Sequence, residues 1–253
     1  MAVTEPRRRV SRLRATAVLA GLVVASVIAT LGAPVAHGAE RGFALDVSRR
    51  GDFVAQTNLV QCVGASMQMM LNMVRADDRS AATQLKLQNL ARSLSPPRAD
   101  GGVRKGASVV GWSEGLNQVG AGPYKLVGTW TIGDAMSVAA RAIRITGKPV
   151  GLLMWQGRHA WVMSGFQASA DPLGGADISV TAVTVLDPLY PRVSPRWGRG
   201  PSPGQVMSVA TLGKQFLPRR TGSQASVWLS GFAGMYVMVV PYRIARDGSA
   251  RRP

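Results

Sequence analysis

Beyond residue 40 the chain holds a single cysteine, Cys62, so no disulfide can form within the part that folds. A domain without such staples must be held together by burial of its own side chains. The roughly 215 residues that follow the N-terminal segment suffice for one domain with a core of its own. They also hold a single histidine, His159, because His37 lies in the N-terminal segment.

That segment sets the expected compartment. Arg7-Arg8-Arg9-Val10-Ser11-Arg12-Leu13-Arg14 is a basic run, no charged residue occurs from Ala15 to Ala36, and Ala36-His37-Gly38-Ala39 is a small-residue stretch ahead of Glu40. The pattern reads as a signal peptide. An uncleaved anchor over residues 15–36 is the rival, since about 20 apolar residues cross a bilayer. In both cases the expectation is a secreted or extracytoplasmic protein, divided into a signal or anchor over 1–39, a folded domain over 40–242 and a basic, frayed tail over 243–253.

The chain carries 30 basic and 13 acidic residues, a net charge of +17. Most of the excess is arginine, with lysine confined to Lys86, Lys105, Lys125, Lys148 and Lys214. At a cell envelope this balance predicts attraction to an anionic surface, a lipid or an acidic wall polymer. Nucleic acid is not expected as a partner, because export argues against it and the arginines are dispersed rather than gathered on a recognition motif.

After Gln61 the apolar spacing of Val63, Met67, Met70, Leu71 and Val74 predicts a helix, ended at Asp77-Asp78. A second helix is expected over 81–94 with Leu85, Leu90 and Leu94 inward, stopped by Pro96-Pro97. The Gly-rich, charged segment 96–106 reads as an exposed loop. A short helix over 109–119 would carry Trp112 and Leu116. A strand at 124–130 and a helix to Ile145, stopped by Gly147, come next. The runs 149–155, 160–166, 178–186 and 236–242 are rich in β-branched and aromatic residues and read as strands, the first two joined as a hairpin through Gln156-Gly157-Arg158. Helices first and a mostly antiparallel sheet afterwards make the fold class α+β.

Four residues suggest chemistry. Cys62 opens the first helix, where free N–H groups and the positive end of the dipole would stabilise a thiolate. His159 opens a strand and could accept the thiol proton. Asp187 ends another strand, before Pro188, where a carboxylate could hold the imidazole. Gln56, ahead of the helix, could donate to an oxyanion, with Gln61 as its competitor.

In this order Gln56, Gln61-Cys62-Val63-Gly64-Ala65-Ser66-Met67, Gly157-Arg158-His159-Ala160-Trp161-Val162-Met163-Ser164-Gly165-Phe166 and Val185-Leu186-Asp187-Pro188 resemble the papain-like cysteine peptidases of the bacteriocin-leader-processing, double-glycine type. The resemblance implies a papain-like fold with N-terminal helices on the sheet. It also implies a Cys62 nucleophile, a His159 base, an Asp187 orienter, a Gln56 oxyanion donor and a peptide or protein substrate. It departs from the family at Val63, where the family has glycine. Family members are also fused to a transporter and act on the cytoplasmic side, so the substrate does not carry over. The acyl acceptor is water or an amine.

Other roles compete for the same residues. A papain-like scaffold that binds without turnover is the alternative, and a thiol-sensing role is a third. Trp155 and Trp161 are candidates to line a substrate groove, with core packing as the competing role. The segment 188–203, read as a long irregular loop, offers Arg192, Arg196 and Arg199 to an acidic or extended peptide. Met67, Met69, Met70 and Met73 read as core filler. One cysteine and one histidine are too few ligands for a closed zinc site, so neither metal nor cofactor is expected.

Overall fold

The computed structural model describes residues 42–175, 177–220 and 227–244. The signal or anchor expected over 1–39, and all but the first two residues of the expected tail, lie outside them. Among the described residues no helix is long and apolar enough to cross a membrane.

The described chain is α+β. Strand β1 (Phe43–Asp46) leads into helices α1 (Cys62–Asn72), α2 (Ala81–Ser93) and α3 (Val109–Gln118). Then come β2 (Tyr124–Thr129), α4 (Ile132–Thr146), β3 (Val150–Met154), β4 (His159–Ala168) and β5 (Val180–Leu186). The short strands β6 (Val193–Ser194), β7 (Gly198–Arg199) and β8 (Gln205–Ser208) follow, with a one-turn α5 (Val209–Leu212), a 3-10 turn at Val227–Phe232 and β9 (Tyr236–Pro241).

Seven strands form one sheet in the order β2-β9-β3-β4-β5-β8, and β1 also pairs with β4. Every pairing is antiparallel. The ten-residue β4 takes β3 along its first half, from His159 to Met163, and β1 along its second half, from Gly165 to Ala168.

Both faces of the sheet are covered, so the strands read as continuous apolar runs rather than as alternation. Ala160, Val162, Val237 and Val239 pack with Met67, Trp112 and Leu116 of α1 and α3. Their neighbours Trp161, Met163, Met238 and Val240 pack with Met136, Ala139 and Ile143 of α4. Gly147 ends α4 in the left-handed conformation (φ 66°), as expected from its sequence position.

Helix α1 is buried nearly all round, from Val63 to Met70, because α2, α3 and β4 all pack on it. The four methionines lie in its core. Helix α2 differs from expectation. Its buried residues are Gln84, Leu87, Gln88 and Ala91, whereas Leu85 is exposed and Leu90 and Leu94 are half-buried. The two glutamines are inside because they hold backbone groups. Gln84 donates to the Ala55 carbonyl (3.0 Å) and accepts from the Thr57 N–H (2.8 Å), and Gln88 accepts from the Gly64 N–H (2.9 Å). The helices meet closely at that point, since a β-carbon on Gly64 would stand 2.7 Å from the Gln84 carbonyl oxygen.

The segment 188–203 is not irregular throughout. Val193 pairs with Arg199 and Ser194 with Gly198, giving a small hairpin.

Candidate active site

The helix that starts at Cys62 is the only one among the described helices α1 to α5 without a side-chain cap from its own N-cap residue. Ser80, Ser108, Thr131 and Ser208 cap α2, α3, α4 and α5, while Gln61 makes no capping bond. The third N–H of α1, on Gly64, is taken by Gln88 from the neighbouring helix. The N–H groups of Cys62 and Val63 have no acceptor within the helix. No acidic residue stands in its first turn. Cys62 itself is partly exposed, and Val63 is buried in the core.

His159 begins β4, paired with Met154 at the end of β3. Its ring is buried. Nε2 donates to Oδ1 of Asp187 at 2.6 Å, and the Cys62 side chain is the ring's other partner. With Nε2 committed to the carboxylate, Nδ1 is the nitrogen left for the sulfur. Burial alone would push the imidazole down. The hydrogen bonds that the ring makes to Asp187 and Cys62, with their charges, outweigh it and bring His159 up to about 9.

Asp187, at the end of β5, is fully buried. Its Oδ1 accepts a second hydrogen bond from the Leu189 N–H (2.8 Å), and Oδ2 has no partner. A β-carbon on Gly200 would meet Oδ2, so the backbone after β7 lies directly against the carboxylate.

Gln56 is buried beside this group. Its N–H donates to the Pro188 carbonyl (2.7 Å), tying it to the residue after Asp187. The amide nitrogen donates one hydrogen to the Asn58 carbonyl (2.8 Å), which leaves a second hydrogen free, and the amide oxygen is buried without a partner. Gln61, its competitor, has its side-chain oxygen taken by the Thr57 hydroxyl.

The structure thus brings Cys62, His159, Asp187 and Gln56 into one neighbourhood, built from the start of α1, the start of β4 and the end of β5. Two of the residues expected to touch substrate do something else. Trp161 is fully buried in the core on the α4 side of the sheet, because β4 is covered on both faces. Arg192 holds the main chain ahead of Cys62, donating to the carbonyls of Gln56 (3.0 Å) and Thr57 (3.2 Å). Arg196 and Arg199 are exposed on the hairpin.

Of the two tryptophans expected at a groove, Trp155 does lie at the site, and Trp197 and Gln215 join it. Trp155 stacks on His159 with ring centroids 4.1 Å apart and planes 20° from parallel. Trp197 of the hairpin stacks on Trp155 at 5.8 Å, and the Arg196 guanidinium lies 5.3 Å over Trp197. To present its ring, Trp155 takes the left-handed conformation (φ 55°), as does Gln156 (φ 60°), a backbone state disfavoured for such side chains. Gln215 holds it there, its carbonyl accepting the Trp155 N–H (3.0 Å) and its side-chain oxygen accepting the indole N–H (2.9 Å).

No known protein family matches this chain, and no curated protein does. Among solved structures, UfSP from C. elegans is similar at 15% identity with a TM-score of 0.41, over 81% of this chain and 35% of that one. This chain therefore spans about a third of that protein's length.

Proposed function

We propose that the chain is a papain-like cysteine peptidase or amidase, acting on a peptide bond outside the cytoplasmic membrane. The observation that carries the reading is the buried contact of Asp187 Oδ1 with His159 Nε2 at 2.6 Å, with the Cys62 side chain as the ring's other partner. A sulfur at a helix start, an imidazole and a carboxylate in that sequence can perform acyl transfer. The Cys62 thiolate attacks the carbonyl carbon, forming a C–S bond, and the oxygen takes the negative charge. The Cys62 N–H and the free hydrogen of the Gln56 amide are the donors available to it. His159 passes its proton to the departing amine as the C–N bond breaks. It then takes a proton from water, or from an acceptor amine, whose attack on the thioester breaks the C–S bond and returns the thiolate beside the protonated imidazole.

The narrower likeness to leader-processing, double-glycine peptidases rests on the sequence motifs alone. Export rests on the N-terminal pattern, and association with an anionic lipid or wall polymer rests on the net charge. A second reading, a papain-like binding protein without turnover, is favoured by one observation: one of the two hydrogens of the Gln56 amide is already committed to the Asn58 carbonyl.

Labelling of Cys62 at neutral pH with a thiol-directed affinity probe separates the two. The peptidase reading expects fast labelling that falls at least about a hundredfold in His159→Ala, with circular dichroism unchanged. A slow thiol indifferent to His159 leaves only the binding protein.

A further inference from the structure

Resting on the peptidase reading, the direction of proton transfer divides the surface around the site. His159 hands its proton to the leaving amine, so the departing part of the substrate lies on the His159 side of the sulfur. What stands there is the stack of Trp155 and Trp197, with Arg196 above it. Arg158 occupies the turn directly before His159, and Arg199 directly precedes the Gly200 that abuts Asp187. All three arginines are exposed. Among the described residues none of them has a carboxylate within ion-pair distance, the pairs observed being Arg49 with Asp52 and Asp77, Arg98 with Asp100, Arg144 with Asp171 and His159 with Asp187. Arg192, engaged with two carbonyls, is not part of the group. Asp187, which His159 contacts, is fully buried.

Arg196 over the stack, and Arg158 and Arg199 adjoining His159 and Gly200 in the chain, therefore stand near the leaving-group side with no carboxylate partner among the described residues. We infer that the site selects peptides whose segment C-terminal to the scissile bond is acidic, read by Arg158, Arg196 and Arg199. The stack sets the reach. Arg196 lies beyond two indole layers from His159, a span that an extended peptide covers in about four residues. Aspartate or glutamate within the first four or so leaving-side positions is the expected preference.

The test compares wild type with the triple variant Arg158→Gln, Arg196→Gln, Arg199→Gln. Cys62 is alkylated with iodoacetate and with iodoacetamide at low ionic strength, and the ratio of the two rates is read, which normalises any change in the thiol itself. The ratio should fall by about threefold in the variant, and the difference should shrink as salt is added. An unchanged ratio overturns the inference. A peptide mixture prepared from a proteome digest is then offered to both proteins and the new termini are read by mass spectrometry. Wild type should enrich Asp and Glu on the leaving side and the variant should not; equal profiles overturn it. If labelling of Cys62 proves independent of His159, the peptidase reading fails, while the alkylation ratio still decides whether the arginines act at the thiol. If the variant loses binding to phosphatidylglycerol vesicles while ratio and cleavage profile stay as in wild type, the arginines serve a membrane surface and the inference is wrong.

Discussion

A β-carbon placed on Gly200 would collide with Oδ2 of Asp187. The carboxylate is thus wedged between that backbone on one side and the N–H groups of His159 and Leu189 on the other. Gly200→Ala should displace it and cut the labelling rate of Cys62 by about tenfold or more, because small misplacements of catalytic groups are expensive. Gly231→Ala, where nothing lies within 4 Å, is the control and should react as wild type. Thermal melts of both proteins show whether the loss is local, and a Gly200→Ala variant labelled at the wild-type rate would contradict the wedge.

The raised value of His159 makes stability depend on pH with a definite sign. Its folded value of about 9 lies above the ordinary 6.5, so its contribution is complete below about 6.5 and disappears as pH rises through about 9. The size is on the order of 3 kcal/mol. Urea unfolding of wild type and His159→Gln should give curves that differ at about pH 6 and converge at about pH 10. Cys62 supplies part of the rise, so Cys62→Ala should lower the imidazole titration seen by NMR.

Trp155→Gly separates the indole from its strained backbone. Glycine accepts φ 55° readily, which returns on the order of 1 kcal/mol, while the stack on His159 and the bond to Gln215 are lost. Turnover should therefore fall by up to about tenfold, stability should fall by about 2–4 kcal/mol because the loss of a buried indole outweighs the strain relief, and Trp155→Phe, which keeps a ring, should fall between in both. Equal turnover in all three proteins would show that the ring plays no part in orienting His159.

Arg192 should act through Gln56. Its two hydrogen bonds reach consecutive carbonyls, a geometry suited to the guanidinium fork and poorly copied by lysine. Arg192→Ala and Arg192→Lys are both expected to slow turnover, by about threefold to tenfold. Combined with Gln56→Ala, the arginine change should add little further. Fully multiplicative effects in kcat would mean that Arg192 works elsewhere.

Much of the architecture was legible because its determinants are local. The helix after Gln61, the stop at Gly147 and the hairpin of β3 and β4 follow from spacing, a glycine and a short connection. Cys62, His159 and Asp187 stand out because each sits at the end of such an element. Legibility ended where contacts cross the fold. Trp161 looked available beside His159, but β4 is covered on both faces and the indole went to the core. Leu85 looked like an inward residue of α2, yet Gln84 and Gln88 took that face to meet backbone groups of another segment. Gln215 acts over a long sequence separation and its own neighbours in the chain announce nothing; the segment 188–203 was legible as a loop at the site, but not that Gly200 would abut Asp187 and Trp197 stack on Trp155. The short strands β1 and β8 escaped notice for the same reason, their pairing partners being distant.

The inward glutamines of α2 carry one more implication. Leucine at positions 84 and 88 would suit a greasy interface better, and a search for heat tolerance would favour it. The same exchange would untie residues 55–57 and the N–H of Gly64, and with them the mount of the sulfur. Robustness and reactivity should therefore pull this helix in opposite directions, although it contributes no atom to the chemistry.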